Sequence, residues 1–491
     1  MSRPRRLAIV LLAFAAFACA PVLPVAPSPT PAPARSLAGQ PMRECFVDIT
    51  RARCGSLLVP VDRSRPEARR IDLRVAVIPA TSADARSALF LVTGGPGGAS
   101  TISFGWALAA FADLRATHDF VLVDQRGTGG SDQLRVPARP DLTGVAGAAR
   151  SDAIAAWLRP AFASLPDDVR FYTTRAAADD LDAVRDALGY TVVDVYGVSY
   201  GATVAQYFAR QYPERLRTIV LDGATLLDVP IMERVALNVQ RALELMFARC
   251  EREPACASAY PELRQEFAQV MARLAERPVN TGLTGPAGQV IIDPPLFASA
   301  IHSALLSERT IAQLPYRIHL AYTGRWEDLV RAALADAAGA AAVQELAMSF
   351  VIRCGEPWAR FDPEEIARVT PASYFDREAQ MAWARDQAEA CRWVPRGVTA
   401  PGDAGALVSS VPALLLVGEA DPQDPIENVA GARTQLPSST IVVVPDQGHS
   451  VAQIGCLGTI VSAFVKAERG QDLDTSCIAR GGAPVTPFRL P

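Results

Sequence analysis

Short, strongly apolar strand patterns alternate with amphipathic helical patterns in two separate parts of this 491-residue chain. Most of these strand patterns end at a glycine-containing loop, and residues 179–188 carry apolar side chains at helical spacing. Strands that are apolar along their whole length are typical of parallel sheets covered by helices on both faces. The sequence therefore predicts an α/β fold with a mostly parallel sheet flanked by helices. The predicted strands are 71–79, 88–93, 120–124, 192–196, 218–221, 413–417 and 440–444.

A long helical stretch separates the two parts. From residue 226 to residue 398, helical patterns dominate and strand-like runs nearly vanish. Because the α/β pattern then resumes, one sheet with a helical insertion fits the chain better than tandem domains. We therefore predict a sheet domain built from residues 42–225 and 399–491, with residues 226–398 as a helical cap.

A G-x-S-x-G motif, Gly197–Gly201, lies between a predicted strand and a predicted helix. In that context the motif is typical of a sharp turn that exposes a serine Oγ above the sheet. A serine becomes nucleophilic when an imidazole accepts its proton, and a carboxylate fixes the tautomer of that imidazole. We therefore predict Ser199 as a catalytic nucleophile.

The partners of this serine are expected later in the chain, each in a loop after a strand. His449 follows the last predicted strand, whereas the other three histidines either precede Ser199 or lie in the helical insertion. Asp421 follows the preceding strand and is itself followed by a proline, with Asp424 and Glu419 as rivals in the same loop. The sequence predicts a triad of Ser199, Asp421 and His449.

The same chemistry needs backbone N–H groups to stabilise an oxyanion. One is expected from the residue after the nucleophile, which is Tyr200, and one from a loop after an early strand. Residues Gly94–Gly98 form that loop. Gly95 is the better second donor because Pro96 has no N–H, and Gly94 is the alternative.

Composition argues against several other kinds of chemistry. The formal net charge is −4 at pH 7, so the chain offers no basic surface for nucleic acid. Lys466 is the only lysine and follows no glycine-rich loop, which argues against nucleotide phosphotransfer and pyridoxal phosphate chemistry. The cysteine and histidine spacings match no zinc-binding pattern. We therefore expect no cofactor and no metal.

The N-terminus has the pattern of an export signal. Three arginines precede an apolar run, residues 7–20, that is too short to span a bilayer. An A-x-A cleavage site precedes Cys19, and this cysteine also resembles that of a bacterial lipobox, so free secretion and membrane attachment through a lipid on Cys19 are both open. Residues 1–19 are predicted as a signal peptide. Residues 20–41, which are rich in Pro and Ala, are predicted as an extended tether.

Eight cysteines remain after Cys19, and an even number in an exported chain indicates disulfides. Pairing nearest neighbours is one of many possible connectivities. We expect the protein outside the cytoplasm of a bacterium, in the periplasm, on a membrane through a lipid, or secreted. The nearest-neighbour pairs are 45–54, 250–256, 354–391 and 456–477.

Five motifs, in this order, resemble those of a known family: TGGPGG, DQRGTGGSD, GVSYG, GEADPQDP and DQGH. Together they resemble the α/β-hydrolases of the proline iminopeptidase and tripeptidyl aminopeptidase group, including a TAP-like segment at residues 411–477. The resemblance extends over nearly the whole chain after the tether. It implies an α/β-hydrolase fold with Ser199 as nucleophile, Asp421 as acid and His449 as base, and with the loop 94–98 at the oxyanion.

Two positions depart from the family pattern. Thr93 stands where many relatives have a histidine before the glycine-rich loop, and Asp424 stands where a threonine is frequent. The second departure leaves open which aspartate, Asp421 or Asp424, is the acid.

The resemblance also implies a substrate. It implies a serine aminopeptidase that releases short peptides or single residues from the free N-terminus of a small peptide, with cap carboxylates such as Glu233 or Glu356 holding the α-amine. A carboxylic ester hydrolase with the same triad is the alternative, and a binding protein on an inactive hydrolase scaffold is a third. The sequence gives no indication of the oligomeric state.

Overall fold

The computed structural model describes residues 36–82, 87–137, 147–285, 288–331, 340–359, 362–369, 388–470 and 472–491. The predicted signal peptide, Cys19 and the predicted tether up to residue 35 lie outside the described residues. Within the described ranges, no helix has both the length and the hydrophobicity that a membrane span requires.

The last part of the predicted tether is folded. Residues 36–41 form two short paired strands, β1 (Ser36–Leu37) and β2 (Gln40–Pro41). Leu37 is buried, and its side chain lies beside Met42 against the backbone of Gly55. The prediction of an extended tether is therefore wrong for these residues, because Leu37 finds an apolar site in the core.

The fold is organised around a nine-stranded sheet in the order β13-β12-β9-β8-β6-β7-β5-β4-β3. The part of the sheet from β13 to β7 is parallel and consists of β13, β12, β9, β8, β6 and β7. The strands β5, β4 and β3 continue the sheet by antiparallel pairing. All seven predicted strands are confirmed to within about two residues. The edge strand β3 and its neighbour β4 were not predicted. The strands are β3 (Arg43–Val47), β4 (Thr50–Pro60), β5 (Arg70–Ile78), β6 (Ser87–Val92), β7 (His118–Val123), β8 (Val193–Val198), β9 (Leu216–Asp222), the separate hairpin β10 (Val279–Gly285) and β11 (Gly288–Ile292), β12 (Ala413–Gly418) and β13 (Ser439–Val444).

Helices cover both faces of the sheet. Successive apolar residues of each central strand point into two different cores, as in β6, where Phe90 belongs to one core and Leu91 to the other. The first core is closed by α4 and α5, and the second by α2 and α15. The helices outside the insertion are α1 (Ser100–Ser103), α2 (Ala107–Ala110), α3 (Gly147–Ala163), α4 (Thr174–Ala187), α5 (Tyr200–Gln211), and, after the helices α6–α13 of the insertion, α14 (Ala432–Gln435) and α15 (Leu457–Ala467).

The insertion between β9 and β12 has a core of its own, built mainly from α6, α8, α9 and α11. It also contains the β10–β11 hairpin, which the sequence did not predict. Its helices are α6 (Ile231–Arg252), α7 (Pro254–Ala259), α8 (Leu263–Glu276), α9 (Pro294–Leu305), α10 (Glu308–Ile311), α11 (Leu314–Tyr322), α12 (Ala340–Gly355) and α13 (Pro363–Val369).

The C-terminal segment, residues 484–489, runs from the sheet domain onto the insertion. Its first carbonyl, on Pro484, accepts a hydrogen bond from Gln447 Nε2 at 3.0 Å, next to the loop that carries His449. Further along, Phe488 is buried in the core of the insertion, and the N–H of Arg489 donates to the carbonyl of Ala312 at 2.8 Å. The segment therefore connects the sheet domain with the insertion.

Four disulfides join the nearest-neighbour cysteine pairs 45–54, 250–256, 354–391 and 456–477. The predicted pairing is confirmed. Disulfides of this number are typical of proteins that reside outside the reducing cytoplasm.

Candidate active site

Ser199 sits in a strained turn between β8 and α5. Its φ of 55° and ψ of −128° lie outside the regions that side chains favour, which costs about 1–3 kcal/mol. The turn holds because the N–H of Ser199 donates to the carbonyl of Asp222 at 2.9 Å. The turn also requires its two glycines. A Cβ on Gly197 would lie 2.3 Å from the carbonyl oxygen of Gly201, and one on Gly201 would lie 2.0 Å from that of Val92.

The loop that carries His449 is fixed by hydrogen bonds to two different layers. The N–H of His449 donates to the carbonyl of Leu306, at the end of α9 in the insertion, at 2.8 Å. On the sheet side, the N–H groups of Val451 and Ala452 donate to the carboxylate of Asp222 at 2.8 and 3.0 Å. The loop is therefore held through its backbone N–H groups by the insertion and by the sheet.

The end of β9 contacts both Ser199 and His449. A Cβ on Gly223 would lie 2.9 Å from Cε1 of His449, so the imidazole lies directly on the backbone of this glycine. The preceding residue, Asp222, accepts the N–H of Ser199. The structure thus brings both predicted residues to the carboxyl edge of the parallel strands, where open α/β sheets hold their ligands.

Asp421 completes this arrangement. Its Oδ2 accepts a hydrogen bond from Nδ1 of His449 at 2.8 Å, and its Oδ1 accepts the N–H groups of Gln423 and Asp424 at 2.8 and 2.9 Å. Burial favours a neutral carboxyl group, but His449 and these N–H groups outweigh burial and keep the pKa of Asp421 below its usual value. Asp421 is therefore an ionised, fully buried acceptor.

The electrostatics of the site favour a protonated His449. Burial works against the charged imidazolium, but the charge and hydrogen bond of Asp421, with smaller contributions from Asp424 and Asp222, raise the pKa of His449 to about 9. The side chain is 14% exposed, so substrate and solvent can reach it.

The two rivals of Asp421 lie in different places. Asp424 is also buried, and its Oδ2 is 3.6 Å from Nδ1 of His449. Glu419 is directed to Asp446, whose N–H donates to Oε2 of Glu419 at 3.1 Å. The structure therefore brings Asp421 and Asp424 to the imidazole, with Asp421 closer.

The glycine-rich loop packs against the nucleophile. A Cβ on Gly94 would lie 2.6 Å from Cβ of Ser199 and 3.0 Å from the backbone nitrogen of Tyr200. Gly95 follows with a φ of 120°, and the peptide bond between it and Pro96 is cis. Because Tyr200 begins α5, its N–H has no partner within the helix, and the helix dipole favours negative charge there. The backbone of Gly94 is therefore in direct contact with Ser199 and Tyr200, and the role of Gly95 as second donor stays a prediction.

Glu356 lies immediately beyond α12, close to the side chain of Tyr200. Its Oε1 accepts the N–H of Thr174 at 2.5 Å and its Oε2 accepts Nε1 of Trp358 at 2.6 Å. The hydroxyl groups of Thr174 and Tyr200 are 2.9 Å apart, and the ring of Trp358 stacks on that of Tyr200 at 5.8 Å. Burial raises the pKa of Glu356 to about 7. This cluster places a carboxyl group near the side chain of Tyr200, the residue that follows Ser199.

His302, on α9, is a site residue that sequence reasoning did not select. Its Nε2 is buried and has no hydrogen-bond partner within the described part of the chain. Burial lowers the pKa of His302 to about 4, although the charge of Asp421 acts in the opposite direction. His302 is therefore a neutral imidazole near the Asp421–His449 pair, and only the fold of the insertion brings it there.

Three side chains of the site have the composition of a metal-binding group. Ligand atoms of Asp421, Asp424 and His449 all lie within 4.8 Å of one another. The same atoms form the hydrogen bond between His449 and Asp421, so the cluster is already accounted for by an acid–base pair.

Comparison with known proteins places this geometry in context. The family described as the alpha/beta hydrolase fold matches residues 87–452. A tripeptidyl aminopeptidase of Streptomyces lividans is 23% identical over 484 residues, covering 90% of this chain and 87% of that protein. The serine protease Hip1 of Mycobacterium tuberculosis is 28% identical over 238 residues, so the match spans 42% of each protein, less than half of Hip1. Among solved structures, a proline iminopeptidase of Mycobacterium smegmatis aligns with 84% of this chain and 98% of its own, at 17% identity and a TM-score of 0.38.

Proposed function

The chain belongs to the alpha/beta hydrolase fold family and is a serine hydrolase, and from this premise we propose that it is an aminopeptidase that cleaves short peptides from free N-termini. The observation that carries the proposal is the buried carboxyl group of Glu356 beside Tyr200. A peptidase that requires a free α-amine needs a carboxylate at a fixed distance from its nucleophile, whereas an esterase does not. The similarity to a tripeptidyl aminopeptidase over most of the chain supports the same substrate class.

In this proposal Ser199 attacks the scissile carbonyl while His449 accepts the proton of its hydroxyl group. The oxyanion that forms is stabilised by the N–H of Tyr200 and by an N–H of the Gly94–Gly95 backbone. His449 then protonates the leaving amine, which departs, and the acyl-enzyme on Ser199 is hydrolysed by a water that His449 deprotonates. Asp421 holds Nδ1–H of the imidazole throughout, so that Nε2 stays available to the reacting groups.

Glu356 is the better of the two cap carboxylates for holding the substrate ammonium. Each oxygen of a carboxylate can accept more than one hydrogen bond, so the contacts with Thr174 and Trp358 leave room for the substrate's N–H groups. Glu233, in the first turn of α6, already lies near the guanidinium of Arg368. The pKa of Arg368 is raised mainly by Glu365 and, to a smaller extent, by the charge of Glu233. A carboxylate with a cation nearby gains less from binding a second one.

The first test is release of p-nitroaniline from an alanyl tripeptide anilide with a free amine, compared with the N-acetylated anilide. We expect turnover of the free-amine substrate alone. Cleavage of both would remove the requirement for an α-amine. Cleavage of neither, with p-nitrophenyl acetate still hydrolysed, would contradict the aminopeptidase proposal and favour a carboxylic ester hydrolase.

Replacing Glu356 with glutamine should lower kcat/KM for the free-amine anilide about 30- to 100-fold. The glutamine keeps the size of the side chain but loses the charge-assisted hydrogen bond to the ammonium, which contributes about 2–3 kcal/mol. Most of the loss should appear as a higher KM, and hydrolysis of p-nitrophenyl acetate should fall much less. Glu233→Gln is the matched control. Equal losses on the anilide and the ester would assign Glu356 a structural role.

The pH dependence of kcat/KM should follow the titration of His449. A general base must be neutral, so activity should increase with pH through a half-maximal point near pH 9 and level off above it. The profile for the free-amine anilide checks this, after separate correction for ionisation of the substrate amine. A half-maximal point near pH 6 would show that the surrounding carboxylates do not raise the pKa of His449 in the free enzyme.

We also propose that the protein is exported. The four disulfides and the predicted signal peptide support this location, and the choice between lipid attachment at Cys19 and free secretion is testable by metabolic labelling with a palmitate analogue. Label that is lost in Cys19→Ala would identify the lipidated form.

A further inference from the structure

Two aspartates, not one, face the same nitrogen of His449. Asp421 Oδ2 is 2.8 Å from Nδ1, and Asp424 Oδ2 is 3.6 Å from it. We propose that Asp424 is a second acid of the site, which raises the basicity of His449 beside Asp421 and takes over the Nδ1–H hydrogen bond when Asp421 is lost. Asp424 is thus a positioning residue that acts through His449, and the inference rests on the proposed role of His449 as base.

The loop holds both carboxylates in reach of one imidazole. The N–H of Asp424 donates to Oδ1 of Asp421, which folds the loop into a tight turn and brings the second side chain back toward His449. Both side chains are almost completely buried. The difference between 2.8 Å and 3.6 Å is small enough for a rotation of the Asp424 carboxylate or of the imidazole to exchange one acceptor for the other.

The two oxygens of Asp424 are held unequally. Its Oδ1 accepts the hydroxyl of Thr225 at 2.5 Å, and this hydroxyl in turn accepts Nδ2 of Asn428 at 2.8 Å. Among the described residues, its Oδ2 accepts one hydrogen bond, from the amide of Gln423 at 3.4 Å, which is at the outer limit of a hydrogen bond. A buried carboxylate oxygen without a good donor is costly, so the nearby Nδ1–H is the partner it lacks.

Charge around the imidazole agrees with this assignment. Burial, with the charge of Asp421 adding to it and that of His449 opposing it, raises the pKa of Asp424 to about 7. Asp424 is therefore ionised over the range in which His449 loses its proton. The ionisable groups that face His449 are Asp421 and Asp424 from the loop after β12, Asp222 from β9, His302 from α9, and, through His302, Arg353 from α12.

Asp424 stands at a position where the motif that the loop resembles frequently has a threonine. A threonine carries no charge and has no carboxylate to offer to Nδ1. Asp424→Thr is therefore a conservative test variant, because it restores the residue that the family pattern carries.

The test is a double-mutant cycle on Asp421→Asn and Asp424→Thr, measured with the free-amine anilide in the presence of EDTA. Loss of the only acid of a triad lowers kcat by about 10⁴-fold. We expect Asp421→Asn alone to lose no more than about 100-fold above pH 8, and the double variant to lose about 10⁴-fold. Asp421→Ala is the second single variant, since it leaves space into which Asp424 can turn.

Asp424→Thr has its own readout. Removal of a negative charge beside His449 lowers the pKa of the imidazole, so the acidic limb of the kcat/KM profile should move to lower pH. In ¹H NMR spectra at alkaline pH, the downfield Nδ1–H resonance of His449 should persist in Asp421→Asn and disappear in the double variant. This signal reports on orientation of the ring without any turnover.

Two results would overturn the inference. One is an Asp421→Asn enzyme that is folded and as inactive as the double variant, and the other is an acidic limb that does not move in Asp424→Thr. Both leave the proposed function intact as long as wild-type turnover is lost in Ser199→Ala, whereas activity in Ser199→Ala would remove the proposed function itself.

Discussion

Replacing Ser199 with alanine should reduce kcat for the free-amine anilide by about 10⁶-fold, the size of loss seen when the nucleophile of a serine hydrolase triad is removed. Ser199 lies against Gly94 in the glycine-rich loop, at the start of α5, where the proposed chemistry requires the attacking hydroxyl group. Active-site titration with a fluorophosphonate should label the wild-type enzyme and leave Ser199→Ala unlabelled.

The control for Ser199→Ala is Ser103→Ala, in the short helix α1 after the glycine-rich loop. Its hydroxyl donates to the carbonyl of Ala99 at 2.7 Å and has no place in the proposed chemistry, so this variant should keep its activity. Thermal melting of both variants should stay close to that of the wild type. Residual anilide cleavage by Ser199→Ala above about 1% would contradict the assignment of the nucleophile.

Replacing His449 with alanine should be almost as severe, with kcat lower by about 10⁵- to 10⁶-fold. In the proposed mechanism Ser199 and His449 act as one unit, since the hydroxyl is a weak nucleophile without the base and the base has nothing to activate without the hydroxyl. The double variant Ser199→Ala/His449→Ala should therefore be no less active than either single variant. A further fall in the double variant would show that the two side chains act independently.

His302→Ala is the matched control for this experiment. It removes a second histidine from the same region, one that is buried on α9 and neutral at the pH of the assay. We expect it to lose less than about 10-fold. A loss as large as that of His449→Ala would move the proposed base from His449 to the insertion.

The central strands and the nucleophile turn were predictable because their determinants are local. A strand buried on both faces must be apolar along its length, as in β8, β9 and β12, and the sequence shows this directly. The turn at Ser199 is likewise encoded by adjacent residues, since Gly197 leaves space for the backbone of Gly201, and Gly201 leaves space for that of Val92.

The edge of the sheet was missed for the opposite reason. β3 forms the edge of the sheet and β4 lies beside it, and many residues of both strands are exposed, so both carry arginines and other polar residues. Exposed apolar residues such as Phe46 further obscure the alternation that would identify a strand. A half-exposed edge strand does not have to be apolar, and its sequence therefore carries a weaker signal.

The remaining parts of the site depend on contacts between distant residues. Glu356 reaches Thr174 across 182 positions of the chain, and no spacing in the sequence relates the two. The loop that carries Asp421 did identify Asp424 and Glu419 as rivals, but only the fold shows that Asp424 faces the imidazole while Glu419 does not. Local pattern identifies the loop, and tertiary packing decides which of its carboxylates face inward.

The C-terminal segment has a consequence for engineering. The insertion looks exchangeable, because the chain leaves the sheet after β9 and returns to it before β12. Yet Phe488 supplies part of the core of the insertion, and the Arg489 N–H is bonded to Ala312 within it. A chimaera that takes this region from a relative must therefore take residues 484–489 from the same parent, or the grafted layer loses an apolar anchor and gains a cavity in its place.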